Sequence, residues 1–146
     1  MKRKVITIFS LLLMVCSLLS GCADKNGTQE KSIKETGLQL QDGTYSIELA
    51  FEGGSGKAKV LSPATVTVSG ETVTATIQWS SPNYDYMLVD GEKYLSVNSE
   101  GNSVFEIPVL FFDQPMDVIG DTVAMSKPHE IEYTLTFYAD TMQMVE

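Results

Sequence analysis

No cysteine follows Cys22 in this chain, and the only other one, Cys16, lies inside an apolar leader. Whatever folds downstream has neither a disulfide nor a thiolate metal site and must rely on its core. Histidine is nearly as scarce, with His129 alone. A Ser-His-acid relay would need that histidine beside an aimed nucleophile, yet no serine sits in a GxSxG turn. HExxH is absent, and a hydrolytic zinc site generally needs two or three His or carboxylate ligands. The sequence therefore reads as that of a binding protein, not an enzyme. Positive charge is short as well. After Cys22, seven basic residues stand against 19 acidic ones, a net charge of −12. A surface so acidic argues against nucleic acid, and against charge-driven binding to anionic lipid. No internal repeat, low-complexity run or amphipathic helical period appears.

The first 21 residues do not belong to the fold. Lys2, Arg3 and Lys4 precede an apolar run from Val5 to Leu19. That run falls short of the roughly 20 residues a membrane span needs. It ends in Leu19-Ser20-Gly21-Cys22, which resembles the lipobox of bacterial lipoproteins. The resemblance implies acylation of Cys22; an ordinary secretory signal with a chance cysteine is the alternative. Residues 22–41 then form a polar tether without aromatics, and the lipid, not charge, supplies the attachment. The expected location is the extracytoplasmic face of a cell membrane, in a bacterium of the Gram-positive type. Residues 42–140 make one domain, and residues 141–146 are read as a tail.

Within the domain, short runs alternate with period two. Tyr45, Ile47, Leu49 and Phe51 share one face of a first strand, which Gly53-Gly54-Ser55-Gly56 breaks. Those glycines either make a flexible connection or let a flat ligand approach closely. No Lys-Ser/Thr pair opening a helix follows, so they are not a P-loop. Residues Ala64–Ser69 and Thr72–Trp79 form a hairpin rich in Val and Thr, with Trp79 anchoring the core. Asp90-Gly91 carries a type I′ hairpin signal. Pro108 places the strand between Ser103 and Phe111 at an edge or bulge. Ile131, Tyr133, Leu135 and Phe137 alternate with Glu130, Glu132, Thr134 and Thr136 in the last strand. Seven or eight such strands, with turns every 8 to 12 residues, predict an all-β sandwich of the immunoglobulin-like class.

Candidate ligands gather where loops meet strands. Met87 and Met125 each stand at such a junction, and thioether sulfur suits haem iron or Cu(I). Met116 follows Pro115 in a polar loop and is a weaker candidate. His129 is a further possible ligand at the lip of the last strand. Tyr84 and Tyr86 flank Asp85 beside the Ser81-Pro82-Asn83 turn, where aromatics would line a ligand slot. Each residue has a plain alternative: Met fills irregular core gaps, and a lone His is often a surface hydrogen-bonder.

DGTY at Asp42–Tyr45, SPNYDYMLVDG from Ser81 to Gly91, the VFEIPV strand and the MSKPHEIEYTLTF ending resemble NEAT (near iron transporter) domains. The likeness is greatest to their Shp-type haem-binding relatives and spans Asp42 to about Asp140. It implies an immunoglobulin-like sandwich that holds haem beside its last hairpin and passes it towards an ABC importer. The partners implied are a haem-donor surface protein and the importer's substrate-binding protein. NEAT domains usually ligate iron through the first tyrosine of a YxxxY motif. Here Tyr133 matches the second tyrosine while His129 holds the first position. Shp-type relatives imply bis-methionine ligation instead, with Met87 and Met125 as the pair. Such ligation would favour Fe(II) and leave no open position. Tyr84, Tyr86 and Tyr133 would pack the porphyrin or bond a propionate. Two rivals stand beside this reading: an adhesion or protein-docking lipoprotein without cofactor, and a Cu(I) carrier using Met87, Met116, Met125 and His129. The scattered methionines disfavour copper.

Overall fold

Buried and exposed side chains alternate along most strands of the domain, and that alternation becomes two stacked sheets. The computed structural model describes residues 38–145. The signal segment, Cys22 and most of the tether lie outside the described residues. Ten strands follow in order: β1 (Gly43–Ile47), β2 (Leu49–Gly53), β3 (Ala64–Ser69), β4 (Thr72–Gln78), β5 (Tyr84–Val89), β6 (Glu92–Leu95), β7 (Val104–Pro108), β8 (Met116–Thr122), β9 (His129–Phe137) and β10 (Gln143–Met144). One sheet has the order β10-β1-β3-β4-β7 and the other β2-β9-β8-β5-β6. All pairings are antiparallel. The immunoglobulin-like all-β sandwich is thus the fold of this domain.

The two sheets bury their facing sides against each other. Val66, Val68, Val73, Ala75 and Ile77 come from the first, and Met87, Val89, Val118, Leu135 and Phe137 from the second. Thr65, Thr67 and Ser69 take the solvent side of β3, as period two requires. Asp90 and Gly91 both have positive φ, 50° and 81°, the backbone that a type I′ turn needs. β7 is an edge strand, as Pro108 requires, because only an edge tolerates the missing amide donor.

Two features depart from the sequence reading. The run from Tyr45 to Phe51 is two strands, not one, because the chain changes sheets at Glu48. There the ladder is replaced by side chains: Thr141 Oγ1 accepts from the Glu48 amide at 2.9 Å, and Ser62 Oγ from the Leu49 amide at 3.1 Å. The residues read as a tail are part of the fold: a 3-10 turn at Ala139–Thr141 leads into them, and β10 then pairs with β1 through Tyr45↔Met144 and Ser46↔Gln143. A two-residue strand too short to show a period is recruited by the free edge of β1.

Candidate functional site

The β8–β9 hairpin positions the candidate residues. It pairs seven positions, from Met116↔Leu135 to Thr122↔His129, and residues 123–128 close it. On its inner side β9 runs from exposed His129 through half-buried Ile131 to buried Tyr133. The mouth is therefore polar and open at its rim and aromatic at its base.

Four rings form that base. Trp79 stacks on Tyr84 with centroids 3.8 Å apart, and Phe51 stacks on Tyr133 at 4.8 Å. Trp79 also meets Phe51 and Tyr133 edge-on, each at 5.2 Å. Contacts of this kind contribute about 0.5–1.5 kcal/mol each beyond area burial. Ser103 fixes Tyr84 by its backbone, donating from Oγ to the Tyr84 carbonyl at 2.6 Å and accepting from its amide at 3.2 Å. The hydroxyls of Tyr84 and Tyr133 share a hydrogen bond of 3.1 Å. Burial, reinforced by that bond, raises the Tyr133 pKa, so the phenol stays protonated. In this arrangement the Tyr133 hydroxyl serves as the hydrogen-bond partner of Tyr84.

Glycine makes this packing possible at two places. A Cβ on Gly54 would lie 2.8 Å from the Tyr133 ring, and φ at Gly54 is +58°. A Cβ on Gly120 would lie 2.8 Å from the Trp79 ring. The glycine loop does permit close approach, and what it approaches is the protein's own Tyr133.

The sequence-predicted residues fall into three groups. Tyr84, Met87 and Tyr133 converge on Trp79, whose Nε1 donates to Met87 Sδ at 3.4 Å. His129 and Met125 stand exposed at the mouth, Met125 with 68% of its surface open beside exposed Val123. Tyr86 lies on the opposite face of the sheet. A β-bulge between Tyr84 and Tyr86 sets Tyr84 opposite Thr122 and Tyr86 opposite Asp121. It turns the two tyrosines to opposite faces, so they do not line one slot. Met87 is likewise fully enclosed, with its sulfur already engaged, and is not at an open junction. Met116 is buried too, as the first residue of β8 and not in a loop. Among the described residues, no group of three or more His, Cys, Asp or Glu side chains is placed to hold a metal ion.

Sequence reading missed Phe51 and Gly120 as parts of the site. A glycine inside a strand was the available signal, since it marks a close approach. It missed Asp121 as well. On the outer face Asp121 is flanked by Tyr86 on β5 and Glu130 on β9, and Tyr86 Oη donates across to Glu130 Oε1 at 2.6 Å. Asp121 is only 1% exposed, and its Oδ2 has no hydrogen-bond partner. Desolvation, then a hydrogen bond with Asp85 and the charges of Asp85 and Glu130, push its carboxyl pKa up; Lys93 opposes them. The bond to Glu130 is also the main reason the Tyr86 pKa rises to about 12.

No family model matches the sequence, and no curated protein matches it. Solved structures do. The NEAT5 domain of IsdX2, a B. anthracis hemophore, in complex with heme superimposes with a TM-score of 0.54 at 15% identity, covering 66% of this chain and 96% of that domain. A single-residue variant of the same domain, also in complex with heme, gives 0.53 at 16% identity, covering 67% and 96%. Nearly the whole of that domain is therefore matched, and this chain has the NEAT fold.

Proposed function

We propose that this protein binds haem as cargo at the mouth of the β8–β9 hairpin and belongs to the NEAT domains of Shp type. In this reading it is anchored by lipid at Cys22, receives haem from a surface donor protein and hands it to the binding protein of an ABC importer. The observation that carries the reading is the hairpin itself. An exposed imidazole and an exposed thioether, His129 and Met125, stand at the rim of an aromatic base, on a fold whose solved counterparts above hold heme.

The residues present fit such a cargo. Porphyrin needs apolar surface and one or two soft or borderline donors; exposed Val123 and Met125 with half-buried Ile131 supply the first at this mouth, and His129 and Met125 the second. Haem supplies an iron with two free axial positions, and the donors decide its potential and how readily it leaves. His129 and Met125 are the accessible donors, in place of the Met87–Met125 pair. Met87 acts indirectly, since its sulfur orients the Trp79 ring that underlies Tyr84 and Tyr133. Tyr133 and Tyr84, both hydroxyl-bearing and buried, set the polarity of the base. Binding, not catalysis, is the chemistry these groups provide.

Titrating the apoprotein with hemin tests the reading. One equivalent should give a shifted Soret band, and dithionite should sharpen the α and β bands. His129→Ala and Met125→Ala should each change that spectrum, whereas Met87→Leu, which keeps the volume, should leave the ligation unchanged. Absence of any Soret shift would end the haem hypothesis. A normal spectrum in the His129 and Met125 variants, with loss in Met87→Leu, would restore Met87 as the ligand.

A further inference from the structure

The outward faces of β9, β8 and β5 carry a second feature that haem binding leaves unused. A groove of about 740 Å³ runs across them, lined by Leu88, Ile119, Leu110 and Phe111, with Glu52, Asp90, Asp117 and Glu132 among its other lining residues. The four apolar residues are half-buried and the four acidic residues exposed. No lysine, arginine or histidine lines the groove. Leu88 and Ile119 are paired directly across β5 and β8, so the apolar surface is continuous between these strands. An outward sheet face is ordinarily polar throughout, whereas here an apolar floor lies between acidic residues.

We propose that this groove docks an extended segment of a partner protein, apolar in its middle and bearing Lys or Arg near both ends. Charge complementarity selects that occupant. Another copy of this chain would bring a net charge of −12 after Cys22 to an acidic rim, and an anionic membrane would be repelled in the same way. A basic segment satisfies the carboxylates and covers the apolar floor together. The strand order also sets its length. Glu52 on β2 and Asp90 after β5 are separated by three inter-strand steps, because β9 and β8 lie between. At about 4.8 Å per step that is about 14 Å, or about four extended residues. Basic side chains four positions apart therefore match the acidic ends.

The test is a titration of the ¹⁵N-labelled intact protein, in neutral detergent, with the acetylated and amidated peptide KLTFK. Amide shifts should appear at Leu88, Ile119 and Glu132 and saturate. Raising salt from about 0.05 M to about 0.5 M should weaken binding by about tenfold, as screening of the rim charges requires. The combined variant Glu52→Gln, Asp117→Asn, Glu132→Gln should weaken it similarly, while His129→Ala changes nothing. Equal binding of the reversed-charge peptide ELTFE would overturn the proposal. So would unaltered affinity in the combined variant, shifts confined to residues 123–128, or self-association of the protein through this face. Hemin binding is read separately from these shifts, so either proposal can fail alone.

Discussion

The two faces of the β8–β9 hairpin are made by the same strands, yet they differ in almost every physical respect. Inside, Tyr133 meets Tyr84, Trp79 and Phe51, and the Tyr84 and Tyr133 hydroxyls satisfy each other. Outside, Asp121, Glu130 and Tyr86 crowd together, and one carboxylate oxygen of Asp121 is left without a partner. The inner face is consolidated by packing, whereas the outer face holds electrostatic stress. One β-strand supports both because successive side chains point in opposite directions. The consequence is a hairpin whose rigidity comes from one side and whose sensitivity to solution conditions comes from the other.

The largest effect should come from the inner face. Trp79→Ala removes the ring that touches Phe51, Tyr84, Tyr133 and Met87, and should cost about 3–5 kcal/mol of stability in urea unfolding. A loss below about 1 kcal/mol would show that the aromatic base is not what consolidates the hairpin. Next in size is Tyr133→Phe, which strands the Tyr84 hydroxyl and should cost about 1–2 kcal/mol. Adding Tyr84→Phe should recover much of that loss, and a double-mutant cycle would give the coupling directly. Strictly additive single-mutant costs would mean that the two hydroxyls act independently.

The smallest expected effect lies on the outer face and has the opposite sign. Because the Asp121 pKa is raised in the folded protein, its protonated form suits the fold. That contribution is complete below the ordinary aspartate range and is lost as pH rises through the raised value. Asp121→Asn keeps the shape without the charge, so the variant should melt higher than the parent at pH 7. The difference should vanish near pH 3. A variant that is less stable at pH 7 would show that the carboxylate is compensated in a way the geometry does not reveal.

Much of this contrast was legible in the sequence, because it is local. The alternation from Glu130 to Phe137 assigned each β9 side chain to its face, Asp90-Gly91 identified the β5–β6 turn, and Pro108 predicted an edge strand. Reading failed where pairing with a distant strand decided the outcome. The bulge beside Asp85 depends on the register of β5 against β8, and it alone separates Tyr84 from Tyr86. Met87 became a core residue for the same reason: the bulge rotates it inward, where Trp79 captures its sulfur. The sheet change at Glu48 was hidden because its hydrogen-bond partner, Thr141, lies 93 residues away. Burial of Asp121 needed both neighbouring strands, and nothing in an acidic sequence distinguishes that aspartate from its fellows.

The pairing of β10 with β1 has a further consequence. Tyr45 lies opposite Met144, and the Val145 amide donates to the Thr44 carbonyl at 2.8 Å. The polypeptide therefore begins and ends its fold at a single corner. Domains built this way tolerate circular permutation and insertion, since a short linker can join the ends without spanning the structure. Joining residue 145 to residue 42 and reopening the chain at the exposed Asp90–Gly91 turn would preserve every strand. The same closure would let this sandwich be threaded into a surface loop of another protein as a self-contained module.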